Sequence, residues 1–262
     1  MNKTDNNESK FKYPIHSVEH AFSLLEVLAD NRLEMGIAEL CRKTNLPKGT
    51  VHRLLGTLKN LDYTEQNPQN RKYRLTIKIF KLGTTVTDRI GLVQIIPHMK
   101  KLSQKFNENV NLAILDGDEI LYIYSIEGNH TLKLDLKIGS NQPAYCAALG
   151  RVLLAYLSEE KINHYFQKIK LKSYTSYTIT SKDKLKRELK LVKQKGYSLV
   201  NEEYIQGVSC VAVPLRDNQG KVCAGLSFSI PTARFEGNKL SLLVDSLIST
   251  AKKITMPGLF KI

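Results

Sequence analysis

Residues 46–58, LPKGTVHRLLGTL, predict a short helix with one apolar face and one basic face. The apolar positions repeat at helical spacing and would face a core: Val51, Leu54, Leu55 and Leu58. The other face suits a helix whose N-terminal end enters the major groove of DNA, and it carries Lys48, Thr50, His52 and Arg53. A basic face is also common on solvated surface helices, so the flanking sequence has to decide between the two interpretations.

Two more helices are predicted before this stretch. Ser17 is expected to cap the first, over residues 17–30, whose buried stripe would be Val18, Ala21, Leu25 and Leu28. The second spans residues 37–44, and Asn45 then turns the chain into the third helix. Pro47 would occupy the first helical position, where its missing N–H group leaves no bond unmade. Two helices joined by so short a turn form a helix-turn-helix motif.

A basic hairpin is predicted directly after the third helix. Strands at residues 63–66 and 71–75 flank a turn at residues 67–70, NPQN. Three basic side chains lie near its tip: Arg71, Lys72 and Arg74. Three helices followed by a basic hairpin form a winged helix-turn-helix, which we place at residues 13–76. The hairpin would reach phosphates or a minor groove while the third helix reads the major groove.

Residues 77–108 are predicted to be a helical linker. An apolar edge of this helix is formed by Val86, Ile90, Val93 and Ile96. Pro97 is expected to bend or restart the helix, because proline lacks the N–H group that a helix interior uses. A DNA reader of this size commonly binds two half-sites, so the linker is interpreted as both a spacer and a dimerisation surface.

From residue 109 the pattern changes to strands mixed with helices. The first hairpin turns at residues 116–118, a third strand follows at residues 132–136, and two further strands flank a turn at residues 217–220. Helices are predicted over residues 143–166 as a pair, over the basic stretch 182–195, and from residue 239 onwards. The class is therefore α+β, and residues 109–262 would form a domain with a pocket between sheet and helices.

The formal charge of +14 is compatible with a nucleic-acid partner but does not locate the DNA site. Residues 1–90 contain 15 Lys and Arg against 10 Asp and Glu, a net of +5. Residues 161–195 contain 11 basic residues against 2 acidic ones, which accounts for the remaining +9. The basic stretch at residues 182–195 is most simply the solvated face of a surface helix.

Composition and cysteine spacing bound the class of protein. A hydrophobic content of 42% is enough for packed cores. No apolar run is long enough to cross a membrane and the polar residues 1–12 resemble a flexible arm rather than a signal peptide, so a cytoplasmic protein without a membrane partner is expected. Four cysteines without a C-x-x-C pair predict neither a disulfide framework nor a zinc site. His16 and His20 have no third ligand nearby, so we expect no metal or other cofactor.

These motifs resemble the IclR family of transcriptional regulators, from about Tyr13 to Thr255. The matching stretches are PKGTVHRLLGTL, LDYTE, RKYRL, ALGRVLLAYLSEE, GYSLVNEEYIQGVSCVAVPLRD and LSFSIP. The spacing from Glu203 to Pro214 also resembles the family's C-terminal signature. The resemblance implies a GAF-like effector-binding domain after the winged helix-turn-helix, binding to double-stranded operator DNA as a homodimer or dimer of dimers, and control by small carboxylic or aromatic metabolites.

The resemblance also implies an effector site. Its residues would be the backbone amides of Ala148 and Leu149, the thiol of Cys210, and the hydroxyls of Ser227 and Ser229. Free N–H groups at a helix start bind a carboxylate, and hydroxyls complete its hydrogen bonds. Two positions depart from the family pattern, Val200 in place of a polar residue and Tyr145 in place of histidine. They favour a carboxylate whose other end is apolar or aromatic over a small polar acid such as glyoxylate.

The function expected from these observations is that of a DNA-binding regulator, a repressor, modulated by a small carboxylate. Two other classes remain open. A thiol-based redox sensor would use Cys146, Cys210 and Cys223. An enzyme on the α+β domain would need a nucleophile, a base and an orienting group, and the chain has no G-x-S-x-G motif, phosphate loop or convergent carboxylate pair.

Overall fold

The computed structural model describes residues 13–31, 33–130, 136–235 and 237–256. Contacts between Cα atoms divide the chain after Thr87 into two compact units. Each unit has a hydrophobic core of its own, and the two are described separately below.

The first unit is a winged helix-turn-helix. Its elements are α1 (His16–Ala29), α2 (Ile37–Thr44), α3 (Lys48–Asn60), β1 (Thr64–Gln66), β2 (Tyr73–Leu75) and most of α4 (Lys78–Ile90). Strands β1 and β2 are antiparallel, with Glu65 opposite Arg74. The helices pack around a shared core of leucine, valine, methionine and tyrosine side chains, with Leu24, Leu40, Val51 and Leu55 fully buried. The predicted three helices and hairpin are confirmed.

Two details of the first unit differ from the sequence interpretation. Helix α1 begins at His16 after Ile15, and no side chain caps it, so the predicted Ser17 cap is wrong. Val18 is 49% exposed, and the fully buried residues of α1 are Leu24 and Leu28, with Ala21 and Leu25 partly buried. Pro47 is the N-cap of α3 with extended φ and ψ, one residue before the first helical position. Asn45 does make the turn, in the left-handed conformation.

The second unit is a seven-stranded sheet with helices on both faces. Its elements are α5 (Leu92–Phe106), β3 (Asn109–Asp116), β4 (Glu119–Ile126), β5 (Asn141–Pro143), α6 (Ala148–Ala155), α7 (Glu159–Lys168), α8 (Lys182–Lys195), β6 (Ser198–Asn201), β7 (Val208–Asp217), β8 (Val222–Pro231), α9 (Lys239–Ala251) and β9 (Thr255–Met256). The strand order is β5-β4-β3-β8-β7-β6, and β9 pairs with β7. Helices α6, α7 and α8 share a core with one face of the sheet, and α5 and α9 share a core with the other.

The linker prediction needs a correction at the end of α4. The helix ends at Ile90, where Gly91 adopts a left-handed conformation with φ 74° that suits glycine, and α5 then continues through Pro97. Ile90 is 4% exposed and belongs to the core of the second unit, which Ile96 also contacts. These two residues are therefore not free for an interface, whereas Val86 and Val93 are 54% and 76% exposed.

The other helices and strands predicted within the described part of the second unit are confirmed, and the structure adds three short strands. The predicted strand at residues 132–136 falls almost entirely on residues outside those described. Ser158 and Ser181 accept hydrogen bonds from backbone N–H groups at the starts of α7 and α8, and Gly196 ends α8 with φ 76°. Strands β5, β6 and β9 were not predicted, because segments of two to four residues are too short to show a period of two.

Two glycines let α6 lie unusually close to its neighbours. A Cβ atom on Gly150 would come within 2.1 Å of the Ala144 carbonyl oxygen. A Cβ atom on Gly225 of β8 would come within 2.8 Å of the Leu149 side chain. The absence of these two Cβ atoms seats the N-terminal end of α6 directly on the sheet, which forms one wall of the cavity described below.

Candidate functional site

The third helix presents the side chains predicted to read DNA. Lys48, His52 and Arg53 are exposed on α3 opposite the buried Val51 and Leu55. Thr50 is half-buried. The first turn of α3 contains no acidic residue and no side-chain cap, so its backbone N–H groups remain available to a phosphate. The four predicted residues therefore share the exposed N-terminal part of one helix.

The wing is attached to its domain by an acidic residue that the sequence analysis missed. The Glu34 carboxylate accepts hydrogen bonds from Asn67 Nδ2 at 2.9 Å and Asn70 Nδ2 at 2.8 Å, and an ion pair joins it to Arg74 at 3.1 Å. The hydrogen bond from Asn70, followed by that from Asn67 and the positive charge of Arg74, lowers the pKa of Glu34 against the opposing effect of burial. A lone glutamate in a loop carries no sequence pattern that would reveal this role.

Arg71 and Lys72 are left at the tip of the wing, whereas Arg74 is engaged within the domain. Arg74 Nε lies 2.6 Å from Glu65 Oε1 in addition to its contact with Glu34. Among the described residues, the side chains of Arg71 and Lys72 form no ion pair, although the positive charge of Lys72 contributes to lowering the pKa of Glu34 and of Glu39. All three predicted basic residues lie on the hairpin, and cross-strand pairing holds Arg74.

The second unit contains a cavity that collects all five predicted effector residues. It lies between the N-terminal end of α6 and the sheet and opens to solvent; the empty space is about 450 Å³ when the open solvent at its mouth is included. Its lining includes Ala148, Leu149, Cys210, Ser227 and Ser229. Strand pairing explains this meeting, because Cys210 lies opposite Ser229 and the alternate residues Ser227 and Ser229 point to the same face of β8.

The N-terminal end of α6 supplies unpaired backbone donors to this cavity. Ala147 is the N-cap residue and has no side chain that could cap the helix. The first N–H groups of an α-helix have no partner within the helix, and its dipole adds partial positive charge there. The first turn also contains no acidic residue. The amides of Ala148 and Leu149 are therefore suited to bind an anion at this end of the cavity.

The hydroxyl of Ser227 is buried in the cavity wall without a hydrogen-bond partner. The residue is 1% exposed, and no described residue lies within hydrogen-bonding reach of its Oγ atom. A buried hydroxyl without a partner costs about 1–3 kcal/mol, so such groups commonly await a ligand or a water molecule. This is the most direct sign that the cavity takes a polar ligand.

Ser229 is prepared as a hydrogen-bond donor by its neighbours. Its Oγ atom accepts from Asn111 Nδ2 at 3.0 Å and from the Cys210 thiol at 3.2 Å. The Asn111 side chain is itself oriented by the Ser125 hydroxyl at 2.7 Å. Since both lone pairs of the Ser229 hydroxyl are used, its own proton remains for a further acceptor.

The two departures from the family pattern have different outcomes. Val200 lines the cavity at 4% exposure, so its predicted position is correct. Tyr145 does not line it, and the predicted aromatic wall at this residue is wrong. The Tyr145 hydroxyl turns away to donate to the Lys172 carbonyl at 2.7 Å and to accept from the Lys172 N–H at 2.9 Å. The aromatic residues in the wall are Tyr122 and Tyr204.

A buried ion pair beside the cavity was also missed. Arg151 is 2% exposed, donates from Nε to the Tyr145 carbonyl at 2.9 Å, and contacts Glu203 Oε2 at 2.5 Å. Glu203 Oε2 also accepts from the Ile179 N–H at 3.1 Å. Glu203 lines the cavity, so this pair fixes the loop after β6 against α6. These contacts suit Glu203 to orient this loop.

The cysteine thiols are poorly suited to redox sensing. Burial raises the pKa of Cys146 to about 12, and it raises the pKa of Cys210 and of Cys223 to about 11 each. The thiolate is the form that reacts with oxidants, and at neutral pH these groups stay protonated. The geometry therefore disfavours the thiol-sensor hypothesis.

Within the described residues, no cluster of three or more His, Cys, Asp and Glu could hold a metal ion. The same residues include no helix that is both long enough and apolar enough to span a membrane. 

Comparisons with known proteins agree with both halves of the molecule. Residues 17–68 match the family model described as IclR helix-turn-helix domain, and residues 84–256 match the one described as bacterial transcriptional regulator IclR C-terminal. The HTH-type transcriptional regulator KdgR of Escherichia coli is 37% identical over 242 residues, which cover 92% of each chain. The transcriptional repressor IclR of the same species is 27% identical over 245 residues, covering 92% of this chain and 89% of that protein.

A solved structure has the same fold over nearly the whole chain. It is an IclR homologue from Microbacterium hydrocarbonoxydans complexed with 4-hydroxybenzoate, with a TM-score of 0.79 and 23% identity. The match covers 90% of this chain and 98% of that one.

Proposed function

Because the chain belongs to the IclR family of DNA-binding transcriptional regulators, we propose that it is a repressor whose operator affinity is set by a small carboxylate in the cavity of its second unit. The relatives and the family models that match this chain are transcriptional regulators, so the chain is a regulator and not an enzyme. The name of the E. coli repressor, which it resembles over 92% of its length, supports the sign of regulation.

The observation that carries the effector proposal is the unpartnered Ser227 hydroxyl beside the N-terminal end of α6. A carboxylate there would accept from the amides of Ala148 and Leu149 and from the hydroxyls of Ser227 and Ser229. It would also remove the cost of leaving Ser227 without a bond. Cys210 supports this arrangement indirectly, because its thiol donates to Ser229 and so leaves the Ser229 proton for the ligand.

We propose further that α3 enters the major groove while Arg71 and Lys72 of the wing contact the backbone of the same operator. Lys48 and Thr50 lie in the first turns and would contact phosphate, while His52 and Arg53 would face base edges. As a dimer, the protein would bind a pseudo-palindrome whose half-sites are about one helical turn, or a multiple of it, apart. Arg74 would hold the wing rather than make the first contact.

The first unit has an apolar surface that fits a second copy of the chain. Exposed apolar side chains lie on α1 and on one side of α4, which we call the α1–α4 surface: Val18, Phe22, Leu82 and Val86. A groove between α1, α3 and α4 adjoins it. Soluble monomers rarely expose contiguous apolar patches, so we propose that this surface forms the homodimer, or one interface of a dimer of dimers.

The effector proposal is tested by binding of carboxylates to purified full-length protein. Wild type and Ser227→Ala are compared by thermal shift over a panel from glyoxylate to benzoates, and the ligands that bind are added to operator fragments selected from genomic DNA. Loss of ligand binding in Ser227→Ala, with operator affinity of the free protein unchanged, is expected. The proposal fails if the carboxylates that bind wild type bind Ser227→Ala equally well. A ligand changes operator affinity only as far as it binds one arrangement of the protein better than another.

A further inference from the structure

Helix α8 concentrates positive charge on the surface of the second unit. Its 14 residues include seven lysines and arginines but only two acidic residues, Asp183 and Glu188. The helix buries Leu185, Leu189 and Val192 in the core, so its basic side chains lie on the remaining faces. All seven of them are exposed.

Four of these lysines form a line along one side of α8. They are separated by four, four and three residues, spacings that make side chains neighbours on a helix. We call them the α8 lysine stripe: Lys182, Lys186, Lys190 and Lys193. At 1.5 Å per residue the stripe is about 16 Å long. Contacts with α7 hold its first end, because the Lys182 ammonium donates to the Phe166 carbonyl and the Lys186 ammonium lies 5.2 Å from the centre of the Phe166 ring.

Pairing within the protein does not account for this arrangement. Solvated helices commonly place acidic residues four positions from their lysines, where opposite charges attract. Within the stripe, Lys186 has a like charge at this spacing on either side, Lys182 and Lys190, and like charges repel. Among the residues that the structure describes, no side chain of α8 forms an ion pair, Asp183 and Glu188 included. The interpretation of α8 as a solvated face explains why the stripe is exposed, but not why its spacing costs helix stability.

The exposed faces of α8 suit DNA better than a membrane or a protein partner. A helix that lies on a membrane presents large apolar side chains beside its lysines. The apolar side of α8 is buried, and within this helix, all of which the structure describes, Leu191 is the one large apolar side chain that is exposed. Protein–protein interfaces are depleted in lysine, whereas protein–DNA interfaces are rich in positive charge. DNA is also what regulators of this family bind.

We propose that the α8 lysine stripe binds the phosphate backbone of double-stranded DNA and adds a sequence-independent part to the affinity of the protein for DNA. A duplex has one phosphate charge for about every 1.7 Å of its axis, so about ten lie within the length of the stripe. Each lysine that neutralises a phosphate releases condensed cations and makes binding more dependent on salt. The contact raises the affinity for operator and unrelated DNA alike, and it does not involve the effector site.

Binding to DNA without an operator, measured at several salt concentrations, tests the proposal. Full-length wild type is compared with the stripe variant, Lys186→Gln/Lys190→Gln/Lys193→Gln, by fluorescence anisotropy on synthetic duplexes of random sequence. Glutamine has about the helix propensity of lysine and lacks its charge. The stripe variant should bind more weakly at low salt. Its slope of log K against log salt should be smaller by about two to three, since each lost phosphate contact contributes about 0.9.

A second triple variant separates the stripe from the net charge. Lys100→Gln/Lys101→Gln/Lys252→Gln removes the same charge from exposed positions on α5 and at the end of α9, the helices on the other face of the sheet. This control should keep the wild-type slope. An equal fall of the slope in both triple variants, or a stripe variant that keeps the wild-type slope, overturns the proposal.

Protection of lysines from acetylation locates the contact on the wild-type protein itself. Full-length protein is treated with acetic anhydride in the presence and absence of the random duplex, and mass spectrometry identifies the modified lysines. DNA should protect Lys190 and Lys193 several-fold and leave Lys100 and Lys101 as reactive as before. Stripe lysines that DNA does not protect overturn the proposal. Protection by vesicles of phosphatidylglycerol and phosphatidylethanolamine, but not by DNA, also overturns it and assigns the stripe to a membrane surface.

The stripe variant also distinguishes this proposal from the proposed function. Its preference for operator over random DNA and its binding of carboxylates should match those of wild type, because α3 and the cavity are unchanged. A stripe that does not contact DNA therefore leaves the effector and operator proposals standing.

Discussion

Arg53 and Lys72 show how two cations on the same domain can serve DNA binding differently. Arg53 lies on the exposed face of α3, where a guanidinium can make two parallel hydrogen bonds to guanine. Lys72 lies near the tip of the wing, where an ammonium contacts phosphate without reading sequence. The position of Arg53 could be predicted because helical periodicity fixes which residues of α3 face the core, and that of Lys72 because the turn residues 67–70 mark the hairpin.

The two side chains should differ in what their loss changes. Arg53→Ala is expected to cost about 1–3 kcal/mol of operator binding and to relax the preference at one base pair. Lys72→Ala should weaken binding to all sequences alike and reduce the slope of log K against log salt by about one. Gel-shift titrations over several salt concentrations measure both effects. Operator binding by Arg53→Ala with wild-type affinity and selectivity would remove Arg53 from the reading helix.

The ion pair between Arg151 and Glu203 could not be predicted from the sequence. The resemblance to the IclR family predicted Ser227, Ser229 and Cys210 as one site, and the structure places Cys210 opposite Ser229 on adjacent strands. Arg151 and Glu203 are 52 positions apart on a helix and a loop, so no local pattern joins them. Glu34 of the first unit is missed for the same reason, since its partners lie 33 to 40 positions further along the chain.

Removing Arg151 should expose the cost of a buried charge. Arg151→Met leaves the Glu203 carboxylate buried without its cation, which is expected to destabilise the second unit by about 3–5 kcal/mol. The double variant Arg151→Met/Glu203→Gln removes the charge but keeps an acceptor for the Ile179 N–H, so it should be more stable than the single variant. Urea unfolding of the three proteins measures this coupling. A double variant less stable than Arg151→Met would show that the pair does not act through charge.

At the scale of elements, the types of helix and strand could be predicted more completely than their ends. The winged helix-turn-helix and the antiparallel pair of β7 and β8 follow from periodicity and turn residues. The end of α4 does not, because glycine at 91 was less conspicuous than proline at 97. Proline is tolerated inside α5 where the chain can bend, whereas a left-handed residue such as Gly91 ends a helix at once. Because the end of α4 was missed, Ile90 was predicted to lie on the exposed apolar edge of the linker helix, whereas it belongs to the core of the second unit.

The α1–α4 surface yields the prediction for this scale. Phe22 and Leu82 are 60% and 56% exposed, so charging them should leave the isolated fold intact. In a dimer, Phe22→Asp or Leu82→Glu would bury an unpaired charge at the interface, which is strongly unfavourable. Light scattering should then show monomers, and operator affinity should fall because one half-site supplies too few contacts.

Val93→Asp is the matched control for the dimer prediction. Val93 is 76% exposed on α5, in the second unit, and belongs to the linker edge predicted from the sequence. It should remain dimeric if the α1–α4 surface forms the interface. Monomers from Val93→Asp, together with dimers from Phe22→Asp and Leu82→Glu, would place the interface on α5 instead.

At the scale of the whole molecule, the two units have separate cores and separate charge clusters. The first is held around leucines of three helices and a short hairpin. The second has a core on each face of its sheet. Ion pairs also join segments at the ends of its strands and helices. Glu108, just before β3, is 1% exposed and contacts Arg234 Nη2 at 2.7 Å and Lys239 Nζ at 2.8 Å. One carboxylate thus ties the start of β3 to the segment after β8 and to the start of α9.

This cluster should give the second unit an acid-sensitive component of stability. Burial alone would raise the pKa of Glu108, but hydrogen bonds and positive charge from Arg234 and Lys239 outweigh it and lower the pKa below the ordinary value of 4.5. A carboxyl group whose pKa is lower in the folded state stabilises the fold above its unfolded pKa. That contribution is lost as the pH falls below 4.5 and through the folded-state value.

Unfolding measured by urea between pH 7 and pH 3 tests the assignment. Glu108→Gln should lower the stability of the second unit at pH 7, because it leaves two half-buried cations with a neutral partner. Its stability should then fall less than that of wild type as the pH drops below 4.5, so the two curves converge. Asp245→Asn, an exposed change on α9, should follow wild type throughout. Parallel curves for Glu108→Gln and wild type across this range would mean that another carboxylate governs the acid response.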